Sequence, residues 1–150
     1  LPRRARAVGP AELTVRRRYA DAMKKRVKSK NPVRRMAAKG FRGFPVATIA
    51  FYGPDNETAS KVAVGIVMGE DESPVALERW FSESRDVRTD PEVGAEIIEF
   101  IKLYKAKSVT LTDRIIGCPH EEGKDYPAGD VCPQCPFWAN RDRFTHELIQ

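Results

Sequence analysis

Cysteine and histidine are scarce in this sequence and absent from its first 117 residues: the chain has three cysteines and two histidines. An odd number of cysteines that lie together with histidine argues against a disulfide framework. Long apolar runs are also lacking, so no segment predicts a membrane span, and no signal peptide is recognisable. These absences predict a cytoplasmic protein in a reducing compartment, with thiols available for metal ligation.

Charge divides the chain into a basic arm and an acidic domain. Residues 1–43 contain 15 Lys and Arg against two acids, whereas residues 44–150 contain 11 Lys and Arg against 19 acids. The net charges are therefore +13 and −8. The arm is predicted to be largely disordered, apart from a helix over residues 11–28 whose apolar residues recur every four positions. The Asn31-Pro32 pair is predicted to end that helix.

The charge of the arm predicts contact with RNA or DNA through the phosphate backbone. Its few aromatic residues give no sign of sequence-specific readout. The cations expected to make this contact are Arg16, Arg17, Arg18, Lys24, Lys25, Arg26, Lys28, Arg34 and Arg35. Two alternatives stay open: the arm could fold back onto its own acidic domain, or it could act only as a solubilising tail.

The sequence of residues 44–150 predicts a small α+β domain. Its single crossover connection makes it similar to an α/β fold. Alternating apolar residues and turn signals predict an antiparallel hairpin over 46–52 and 61–68, and a third strand over 75–83. Asp90-Pro91 predicts the start of a helix over 91–105. The residues that this helix should bury are Val93, Ile97, Phe100 and Ile101. A fourth strand over 108–112 follows, and the helix should cover one face of the sheet.

The C-terminal segment, residues 117–146, is predicted to be a loop region that a bound metal holds together. Two ligand pairs, C-x-H and C-x-x-C, are separated by eleven residues, which is typical of a closed structural zinc site. A [2Fe–2S] cluster is the alternative for the same residues. The predicted ligands are Cys118, His120, Cys132 and Cys135, with His146 as a spare. A histidine near a C-terminus is, however, more often solvated.

Two families of metal sites resemble this arrangement. The run His120-x-Glu122 with the later C-x-x-C is similar to the zinc deaminase signature, in which glutamate transfers protons and zinc carries hydroxide. Here only nine residues separate Glu122 from Cys132, and the Cys118 thiol fills the position that catalysis needs open. The C-x-H pair also resembles half of a Rieske motif, with Cys135 in place of the second histidine, which implies a [2Fe–2S] centre.

Two broader resemblances concern the domain. Residues 109–113 resemble the fourth strand of a ribonuclease H-type fold, which implies a carboxylate role for Asp113 and for Glu92 or Glu96. The first strand lacks the acid that this family needs for its two-metal site. Residues 44–138, with the run GCPHEEG, then DYP and CPQCPFW, are similar to a signature of small bacterial proteins of uncharacterised function. That resemblance implies a bacterial source and no particular activity.

The sequence favours a non-enzymatic zinc-binding protein whose arm contacts nucleic acid. A metalloenzyme or a redox protein that uses the same Cys and His residues is the first alternative. A protein–protein adaptor, whose acidic domain docks a basic partner, is the second.

Overall fold

The computed structural model describes residues 31–149 and contains one sheet and two helices. The elements are α1 (Pro32–Ala38), β1 (Val46–Tyr52), β2 (Lys61–Val67), β3 (Ala76–Phe81), α2 (Pro91–Leu103) and β4 (Ser108–Ile115). A single 3₁₀ turn, Pro136–Trp138, follows within the C-terminal segment.

The four strands lie in the order β3-β2-β1-β4. The first three are antiparallel neighbours, and β4 pairs in parallel with β1. A parallel neighbour needs a crossover connection, and α2 provides it between β3 and β4. The predicted α+β class is therefore confirmed.

The core lies between one face of the sheet and both helices. Alternate residues of the central strands, such as Ile49 and its partner Val64, point to this face and are at most 2% exposed. From α2 the core receives Val93, Ile97 and Ile101, as predicted, while Phe100 is only partly buried beside Trp80. The opposite face of the sheet stays open at one end, where Thr48 and Leu77 are exposed, and is covered by the C-terminal segment at the other.

The observed bounds differ from the predicted ones mainly at β4. This strand continues through Ile115, which pairs with Phe51, so Asp113 lies within the strand instead of at its end. An Asp-Arg pair favours turns in a local reading, but the neighbouring β1 offers a strand partner that sequence does not reveal. Helix α2 ends at Leu103, just before Lys105 takes a positive φ of 53°.

The Asn31-Pro32 pair begins a helix that was not predicted, and the predicted helix before it lies outside the described residues. The Asn31 side chain accepts hydrogen bonds from the backbone N–H groups of Val33 and Arg34 at 3.0 and 3.2 Å, and Pro32 occupies the first helical position. Val33 is 5% exposed and belongs to the core. Residues 31–43, which charge assigns to the arm, therefore contact the domain through α1. Neither of the helices in the part of the chain described is long and apolar enough to cross a membrane.

Candidate metal centre

The first ligand pair follows directly from the end of β4. The backbone N–H of Gly53 donates to the carbonyl of Gly117 at 2.9 Å, which fixes the chain just before Cys118. Gly117 has a φ of +139°, a conformation that side-chain-bearing residues rarely adopt. Gly53 is required for a different reason: a Cβ there would lie 2.0 Å from the Thr58 carbonyl oxygen. The turn into the ligand loop therefore depends on both glycines.

The eleven residues between the ligand pairs form a loop held by its own polar groups. The Asp125 carboxylate accepts from the Glu121 N–H at 2.7 Å, and the Glu122 carboxylate accepts from the Gly129 N–H at 2.7 Å. Most of this loop is exposed, so it brings little apolar surface to the fold. The loop closes by local hydrogen bonds and by the ligand pairs at its two ends.

The second ligand pair is anchored by an aromatic side chain. The C-x-x-C turn is closed by a hydrogen bond from the Cys135 N–H to the Cys132 carbonyl at 3.4 Å. The 3₁₀ turn follows at once, and Trp138 donates its indole N–H to the Gly53 carbonyl at 2.8 Å. Trp138 also packs against the core, as expected for an aromatic residue beside a metal loop. The same glycine thus fixes both ligand pairs.

The four predicted ligands converge on one point. His120 directs Nδ1 at the three sulfurs, with distances of 3.2, 3.4 and 3.5 Å to Sγ of Cys118, Cys132 and Cys135. All four ligand atoms lie within 4.8 Å of one another, and the group could hold a metal ion. Cys132 and Cys135 are buried, and the other two ligands are half-buried.

These distances fit tetrahedral zinc. Bond lengths of about 2.3 Å to sulfur and about 2.0 Å to nitrogen give a nitrogen–sulfur edge of about 3.5 Å in a tetrahedral site. The observed edges of 3.2 to 3.5 Å are close to that value. Three sulfurs and an imidazole also suit an iron–sulfur centre, so the geometry shows a group that could hold a metal ion but does not determine which metal.

Burial of the Cys118 and Cys135 thiols favours their protonated form when no cation is present. Burial raises the pKa of the Cys118 thiol above its ordinary value. Burial also raises the pKa of the Cys135 thiol, and the adjacent Cys118 and Cys132 thiols raise it further. A divalent cation supplies the opposing charge that three thiolates need, so metal uptake should release protons and weaken in acid.

A buried lysine lies beside the ligand loop and was not found by sequence reasoning. Lys61 is 4% exposed, and its Nζ donates to the carbonyl of Pro119, between two ligands, at 3.0 Å. Its ammonium lies 5.2 Å from the centre of the Tyr52 ring and 4.0 Å from a Glu121 carboxylate oxygen. Arg79 contacts the same oxygen at 2.7 Å. Burial lowers the pKa of Lys61, partly offset by Glu121.

Lys61 would stabilise a bound metal, because a centre of three thiolates and one divalent cation would carry a net negative charge. Lys61→Met should keep the packing but remove this counter-charge and the bond to Pro119. We expect metal affinity to fall by about 10- to 100-fold, as for other groups that support ligands. Competition with a chromogenic chelator measures it. Lys124→Met is the matched control, because the Lys124 side chain is 76% exposed and contacts Glu121 from outside at 3.6 Å. Equal affinities of the two variants would contradict this role.

His146, the predicted spare ligand, is placed apart from the four-ligand group. It is 8% exposed, which corrects the expectation of a solvated side chain. Its Nε2–H donates to the Ile115 carbonyl at 2.6 Å, and its Nδ1 accepts from Arg114 at 2.8 Å. The ring also packs edge-on against Trp138, with centroids 5.3 Å apart. His146 therefore fixes the C-terminal residues onto the end of β4.

None of the other predicted residues described by the structure joins the four-ligand group. Glu92 and Glu96 are exposed on α2, and Arg34 and Arg35 are exposed on α1. The other seven predicted nucleic-acid contacts, and the predicted helix over 11–28, lie outside the described residues. Among the side chains that the structure describes, the four-ligand group is the one set of three or more Cys, His, Asp or Glu residues placed to share a metal.

The fold and the ligands together define a small α+β protein with a potential metal site at its C-terminal end. Comparisons with protein-family models, with curated proteins and with solved structures find no match to this chain. Since a fold does not imply a function, the function has to be inferred from the site and from the charged surfaces.

Proposed function

We propose that this protein is a non-catalytic binding protein whose C-terminal segment is held by one structural zinc ion. The observation that supports this most directly is the closed set of four ligand atoms within 4.8 Å. Zinc in structural sites takes four ligands, so three sulfurs and one nitrogen leave no position for water or substrate. The ion would tie the end of β4 to the 3₁₀ turn and order a segment with little apolar core.

Elemental analysis and an absorption spectrum of the purified protein test the proposal. We expect one zinc per chain and no absorption in the visible range, because zinc has a filled d shell. If the protein instead contains iron and shows charge-transfer bands in the visible range, the site holds a [2Fe–2S] cluster and not zinc. Protein that folds with a full set of reduced thiols and takes up neither metal would contradict both.

The basic arm supports a second part of the proposal, namely binding of RNA or DNA through phosphates. Residues 1–43 have a net charge of +13, against −8 for the rest of the chain. Within the described part of the arm, Arg35 is exposed on α1. Contact between the cations of the arm and the phosphates releases counterions, which favours binding of a polyanion without base contacts. The acidic remainder would repel the same polyanion and direct it to the arm.

Deletion of residues 1–30 tests the role of the arm without removing α1, which packs on the core. The deleted segment contains 11 Lys and Arg and two acids. In filter binding between about 50 and about 500 mM salt, we expect the logarithm of the full chain's affinity to fall linearly with the logarithm of the salt concentration. The deletion should lower affinity at low salt by at least about tenfold and flatten this slope. Metal content and melting temperature should not change. Absence of binding at the lowest salt would contradict the proposal.

A further inference from the structure

The folded part of the chain is acidic as a whole, yet two of its segments contain no acid. Residues 31–45 and 100–112 contain seven Lys and Arg and no Asp or Glu. The remainder of 31–149 contains eight Lys and Arg against 19 acids. The two segments meet where β1 and β4 begin, at the end of the sheet opposite the ligand loop. The turn between β2 and β3, with Glu70, Asp71 and Glu72, lies at the same end on the far side of β2. Basic and acidic residues are therefore concentrated in different segments of the domain.

Specific hydrogen bonds hold the two basic segments together. The Arg42 N–H donates to the Ser108 hydroxyl at 2.7 Å, and that hydroxyl donates to the Gly43 carbonyl at 2.6 Å. The Lys107 N–H donates to the Pro45 carbonyl at 2.8 Å. Ser108 is 2% exposed, so its hydroxyl forms a buried link between the segments. The cations on both segments therefore have fixed backbone positions.

An aromatic ring projects from the same surface. Phe41 is 68% exposed, and it contacts the half-buried Phe44 edge-on at a centroid distance of 5.4 Å. An exposed ring costs hydration free energy in the free protein. Lys39 and Arg42 flank Phe41 in the chain, Lys105 and Lys107 lie on the adjoining segment, and all four are exposed. Among the residues described, no carboxylate forms an ion pair with any of these four cations.

We propose that this basic–aromatic surface, formed by Lys39, Phe41, Arg42, Lys105 and Lys107, binds single-stranded nucleic acid. The cations would contact phosphates, and an unpaired base would stack on the Phe41 ring. A duplex could satisfy the cations but offers no free base face to Phe41. The inference rests on the nucleic-acid part of the proposed function and adds a folded contact surface and a preference for single strands.

The test uses the full chain with labelled oligouridine RNA, oligothymidine DNA and a DNA duplex, followed by fluorescence anisotropy. Phe41→Ala should weaken binding of both single strands by roughly 5- to 150-fold, the usual effect of losing one stacked base. Duplex binding should change little. Phe144→Ala is the matched control, because Phe144 is 67% exposed and lies in the C-terminal segment. Equal losses on single strands and duplex, or equal effects of the two variants, would overturn the stacking role.

The cations are tested by the double change Lys105→Gln with Lys107→Gln. The slope of log affinity against log salt on single strands should become shallower by about 1.4, for two phosphate contacts. Arg85→Gln with Lys124→Gln removes the same charge elsewhere and should leave the slope nearly unchanged. If the two double variants behave alike while the arm deletion still lowers affinity and flattens the slope, this surface is refuted and the proposed function stands. If the full chain binds no nucleic acid, both fail.

Discussion

Cys132→Ser should leave the purified protein with little or none of its metal and should loosen the chain beyond β4. Cys132 is 6% exposed and provides one of four converging ligand atoms, and serine is a far poorer zinc ligand than thiolate. Structural zinc contributes apparent binding free energies of about 10–16 kcal/mol in small zinc-dependent folds. The segment has little apolar core to replace that contribution. The sheet, whose core lies on the other face, should remain folded.

Elemental analysis and hydrogen exchange measure these two effects. We expect metal content near zero and faster exchange over residues 117–149, with protection retained in β1 and β2. Gln134→Ala is the matched control within the same turn, because Gln134 is exposed and supplies no ligand. His146→Ala should also retain the metal, since His146 lies apart from the ligands, although it should loosen the C-terminus. Full metal content in Cys132→Ser, or its loss in His146→Ala, would contradict the assigned ligand set.

The sequence predicts the central elements of the fold well because their patterns are local. β1 is observed over the predicted residues 46–52, since its alternation of buried and open positions is visible without knowledge of its neighbours. The start of α2 is observed as predicted, because Asp90 caps it and Pro91 suits its first position. These features depend on residues that are adjacent or a turn apart.

Features that depend on tertiary neighbours were missed. The Asn31-Pro32 pair begins a helix, and nothing local in the sequence shows that Val33 of this helix is buried in the core. Lys61 begins a strand that is otherwise apolar, and nothing local shows that its ammonium reaches the ligand loop. His146 is 31 residues from the Ile115 carbonyl that holds it.

The ligand set is an intermediate case. The C-x-H and C-x-x-C spacings each place two ligands close together, so the residues themselves could be predicted from sequence. That the pairs meet depends on the end of β4 and on the Trp138 bond to Gly53, which are tertiary features. Sequence also cannot choose the metal, because sulfur and imidazole accept both zinc and iron.

Ile97→Asp should prevent the domain from folding. Ile97 is 3% exposed on α2 and belongs to the core cluster between the helices and the sheet. An ionised carboxylate there would be desolvated, and an unpaired buried charge costs several kcal/mol. The substitution also removes a large apolar side chain from a packed site, which adds about 2–5 kcal/mol. Together these costs are comparable with the whole stability of a typical domain, about 5–15 kcal/mol.

Ile97 also lines an apolar cavity of about 420 Å³ between α1 and α2, through which water could reach a new carboxylate. Ile101→Asp provides the stricter version of the test, because Ile101 is 1% exposed and does not line that cavity. Ala95→Asp, at an exposed position of the same helix, is the matched control and should fold normally. Circular dichroism and thermal melting distinguish the three variants. Cooperative melting of Ile101→Asp near the wild-type temperature would refute the packing of α2 on the sheet, because no buried apolar site tolerates an unpaired charge at so small a cost.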